Sequence, residues 1–99
     1  MTWSQERVAE EIRKVQAEDL AMLLKKQAAY GNAAIDPLRV FSRVDPVEQL
    51  KVRIDDKLSR MARGSVSDED VTRDLRGYLL LLEVAERMTA EGAVAGDAA

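Results

Sequence analysis

An all-α protein is what this sequence predicts, and two observations lead there. Apolar residues recur at three- and four-residue intervals through three long segments, and each segment carries helix-start and helix-stop residues at its ends. At 99 residues the chain is of one-domain length. The expected architecture is a bundle of three main helices and a short connecting helical turn over residues 1–89, followed by a flexible tail at 90–99 of small residues. So short a chain, with such wide apolar arcs, is expected to complete its core by homo-oligomerisation.

The first helix is expected from about Ser4 to Tyr30, capped by Thr2 or Ser4 and stopped by Gly31-Asn32, a pair suited to left-handed backbone. The connector 33–44 holds Asp36-Pro37, an N-cap followed by proline, so a short turn through Leu38, Val40 and Phe41 is expected. Asp45-Pro46-Val47-Glu48 opens the second helix in the manner of a capping box, and Gly64 stops it after Arg63. Ser67-Asp68-Glu69-Asp70 starts the third, with three acids at the positive end of the helix dipole, and that helix is expected to last to about Thr89.

Composition narrows the chemistry. There is no cysteine and no histidine, which removes disulfides, thiolate metal sites, the usual zinc ligand and the usual general base. Any metal would be a hard cation held by carboxylates, Mg²⁺ or Mn²⁺. Fifteen basic residues are interspersed with eighteen acidic ones, so no nucleic-acid-binding arm stands out. No apolar run reaches membrane-spanning length, the longest being Tyr78 to Leu82, and no signal-peptide layout opens the chain; a cytoplasmic location is the expectation. No glycine-rich phosphate loop is present.

Several charges fall where apolar residues belong. At about 100° per residue, Val8, Ile12, Val15, Met22, Leu23 and Tyr30 make one stripe on the first helix, and Asp19 and Lys26 sit inside it. Either these two belong to a functional site, or they neutralise other buried charges, or Leu20, Leu24 and Ala28 form the true core face. On the second helix Val47, Leu50, Ile54, Leu58 and Met61 make the stripe, with Asp55 at its edge, Asp56 nearly opposite, Lys57 on the other edge, and Arg53 and Arg60 further out. Val52, off that stripe, hints at a second packing surface. On the third, Val71, Leu75, Tyr78, Leu82 and Ala85 define the centre, and Asp74 lies on an arc widened by Leu81, Val84 and Met88. Capping accounts for Asp70 but not for Asp74, which is past the first turn.

Lys26-Gln27-Ala28-Ala29-Tyr30-Gly31-Asn32, then Phe41, then Arg53-Ile54-Asp55-Asp56-Lys57-Leu58-Ser59-Arg60, then Glu69-Asp70 and Asp74-Leu75-Arg76-Gly77-Tyr78 form an ordered set. In order and spacing it resembles the phage-associated nucleotide modification associated domain, an all-α family that looks related to the MazG-like NTP pyrophosphatases. The resemblance implies a phage-encoded, nucleotide-handling protein in which Asp56, Asp70 and Asp74, joined by Asp19, hold Mg²⁺ or Mn²⁺. It also implies that Lys26, Arg53, Lys57 and Arg60 neutralise phosphates, that Asn32 belongs to the nucleotide site, and that Tyr30 or Phe41 stacks on the base. The chain departs from the enzymes at two places: Arg53 and Val71 stand where each helix would carry the first acid of its pair. Two alternatives to a hydrolase follow, a module that binds a nucleotide without cleaving it and a helical oligomer whose odd charges are interfacial salt bridges.

Overall fold

The computed structural model describes residues 2–33, 35, 40–64 and 71–98, with side chains up to residue 92. Three α-helices occupy them: α1 (Gln5–Tyr30), α2 (Pro46–Ala62) and α3 (Val71–Ala98), with no strand among the described residues. The all-α expectation holds. The expected helical turn around 36–39 and the expected cap at 67–70 lie outside the described residues. The chain forms two compact units, residues 1–31 and residues 32–99.

The first unit is α1. Ser4, not Thr2, caps it: the Ser4 Oγ accepts a 3.1 Å hydrogen bond from the Arg7 amide. Gly31, at φ 62°, ends it in the left-handed backbone that glycine tolerates best. Arg7 and Lys14 flank Glu11 at one-turn spacing on a solvated face, with Arg7–Glu11 the closest pair and Lys14–Glu11 at 3.5 Å. A hydrogen bond from Arg7 and its positive charge, helped by Lys14, hold the Glu11 carboxyl below its ordinary range. No residue of α1 is buried. Its Asp19, Met22 and Leu23 are half-buried, while Leu20 and Leu24, like Ile12 and Tyr30, are more than half exposed.

The second unit is built on α2 packed against α3. Asp45 caps α2 by accepting a 2.9 Å bond from the Glu48 amide, with Pro46 in the first turn, where a missing N–H costs nothing. Gly64 follows its end at φ 74°, donating to the Met61 carbonyl. Leu50 and Ile54 of α2 and Val71 and Ala85 of α3 are the buried apolar residues among those described. α3 runs to Ala98, past Thr89 where the periodic apolar pattern stops. Alanines at 90, 93, 95 and 98 favour helix strongly enough to carry it through Gly92 and Gly96.

The buried face of α2 differs from the expected one. It follows Val47, Leu50, Ile54 and Lys57, while Leu58 and Met61 are exposed. Lys57 is seven residues after Leu50 and so projects within about 20° of it. The lysine stem can fill an apolar position while its ammonium reaches a polar partner at the rim.

Candidate functional site

That partner is Asp74. The Lys57 Nζ donates to the Asp74 Oδ2 across the α2–α3 seam at 3.3 Å, with only 11% of the lysine and 30% of the aspartate side chain exposed. Lys57 is the buried charged residue among those described. A buried ammonium is costly unless paired, and here the pairing carboxylate comes from the other helix. Asp74 is therefore half-buried at the edge of the α3 face, on the side of the arc expected for it, and faces a cation.

The other α2 residues of interest are exposed to solvent. Arg53, Lys57 and Arg60 follow one another at four- and three-residue intervals and so share a flank of α2. Asp56 and Asp55 are both exposed, so neither is turned toward the buried face. Asp56 pairs within its own helix with Arg60 at 3.2 Å, and both groups are about half exposed. Lys57 and Arg60 each make further interactions. One turn beyond Asp74, Gly77 is buried in α3.

The remaining expected site residues come from other segments of the chain. Asp19, Lys26 and Tyr30 are on α1, in the first unit; Asp19 is half-buried and engaged in an interaction, and Tyr30 is largely exposed. Asn32 is exposed in the turn after α1 and is likewise engaged. Phe41 is almost fully exposed. Asp70 lies outside the described residues.

The carboxylates fit a divalent ion poorly as they stand. Among the described residues no three potential metal donors come together. Asp74 and Asp56 each already face the positive group that a metal would replace. The described acids by themselves therefore do not make a Mg²⁺ or Mn²⁺ centre. What the sequence reading missed is the partnership of Lys57 with Asp74. The signal for it was the seven-residue spacing from Leu50, which makes Lys57 a core position rather than an edge.

A separate depression of about 410 Å³ runs along α3, lined by Leu79, Leu80, Glu83, Val84 and Arg87. None of the expected site residues lines it. No described helix is long and apolar enough to cross a membrane. No protein-family model, no curated protein and no solved structure matches this chain.

Proposed function

We propose that this protein handles nucleotides, with the cationic flank of α2 contacting the phosphates of a nucleotide or a nucleotide-derived small molecule. The observation that carries the proposal is the charge pair kept inside the α2–α3 seam, Lys57 with Asp74, flanked by Arg53 and Arg60. A hydrophobic pair would close the same seam at no desolvation cost, and charges held in such a place mark functional sites more often than chance. Support also comes from the resemblance in the order of Lys26, Tyr30-Gly31-Asn32, Arg53 to Arg60 and Asp74, which brings the phage setting with it. Binding is favoured over hydrolysis, because Arg53 and Val71 replace acids and the described acids face cations.

The test is thermal melting against a panel of nucleoside mono-, di- and triphosphates, once with EDTA and once with Mg²⁺. The expected result is a raised melting temperature with at least one triphosphate in EDTA, and about tenfold weaker binding in Arg53→Ala, the loss of one charge-assisted phosphate contact. No shift with any nucleotide at millimolar concentration defeats the proposal. Pyrophosphate release that needs Mg²⁺ and disappears in Asp74→Asn would instead make the protein a hydrolase, with Asp70 as the natural further ligand.

A second reading, a helical interaction protein, draws on a different observation. Val52 and Leu58 on α2, Leu79 and Leu80 on α3, and Val8 and Ile12 on α1 are all large apolar residues exposed to solvent. On each helix such residues could contribute to an association surface.

A further inference from the structure

We draw no further inference here: the strongest candidate, the depression along α3 lined by Leu79, Leu80, Glu83, Val84 and Arg87, carries nothing, because its Glu83 and Arg87 already pair with each other along the helix and nothing in the structure shows what covers its apolar residues.

Discussion

At the scale of single residues, the seam between α2 and α3 is held by one buried lysine and its aspartate. Removing the carboxylate takes an opposite charge away from an ammonium in a site that is almost closed to water. Asp74→Ala should therefore cost about 1–3 kcal/mol in urea unfolding, more than a solvent-exposed pair such as Asp56–Arg60 would lose. The double change Lys57→Met with Asp74→Leu should recover most of that loss, because a hydrophobic pair fills the seam with no charge to desolvate. A double variant as unstable as Asp74→Ala alone would mean that the pair does more than satisfy itself. Gln49 is the converse case. Its Oε1 is buried with no hydrogen-bond partner among the described residues. Gln49→Leu should leave stability unchanged or raise it by up to about 1 kcal/mol, read as the urea midpoint.

At the scale of elements, the helix ends are settled by local chemistry. Asp45 holds the first turn of α2 through one bond to the Glu48 amide, and Asp45→Ala should cost about 1 kcal/mol of unfolding free energy. On α1 the Arg7–Glu11–Lys14 ladder gives a pH dependence whose sign follows from the lowered Glu11 carboxyl. A carboxyl whose folded value lies below its unfolded one contributes stability above the unfolded value, and that contribution is lost as pH falls through the folded one. Helicity of α1, followed by circular dichroism, should therefore decline as acid titrates below the ordinary carboxylate range, and Glu11→Gln should remove that part of the decline. The effect is modest, since the group lies on a solvent-exposed face of the helix.

The capping residues made these elements legible before any tertiary contact was known. Ser4, Asp45 and Gly64 each do what their type and position imply, because a cap acts on amides and carbonyls within one turn of itself. The end of α3 was less legible: apolar periodicity stops near Thr89, but helix propensity in an alanine-rich segment needs no apolar face.

At the scale of the whole molecule, the chain presents more apolar surface than its described core uses. Among the described residues the buried apolar set is Leu50, Ile54, Val71 and Ala85, and a core of that size gives little stability by itself. If association supplies part of the stability, the melting temperature depends on protein concentration. A rise of several degrees between about 5 and 100 μM chain is expected, and a constant value would show that each chain is stable alone.

That three segments form helices, where the first two begin, and that Asp19, Lys26 and Asp74 sit oddly among apolar neighbours were determined by sequence alone, because periodicity and capping are properties of a single segment. The tertiary structure alone decided that Lys57, not Leu58, completes the buried face of α2, and that Asp74 meets an ammonium and not another carboxylate. A lysine stem counts as core or as surface only when a second helix is present to cover it and to offer its charge a partner.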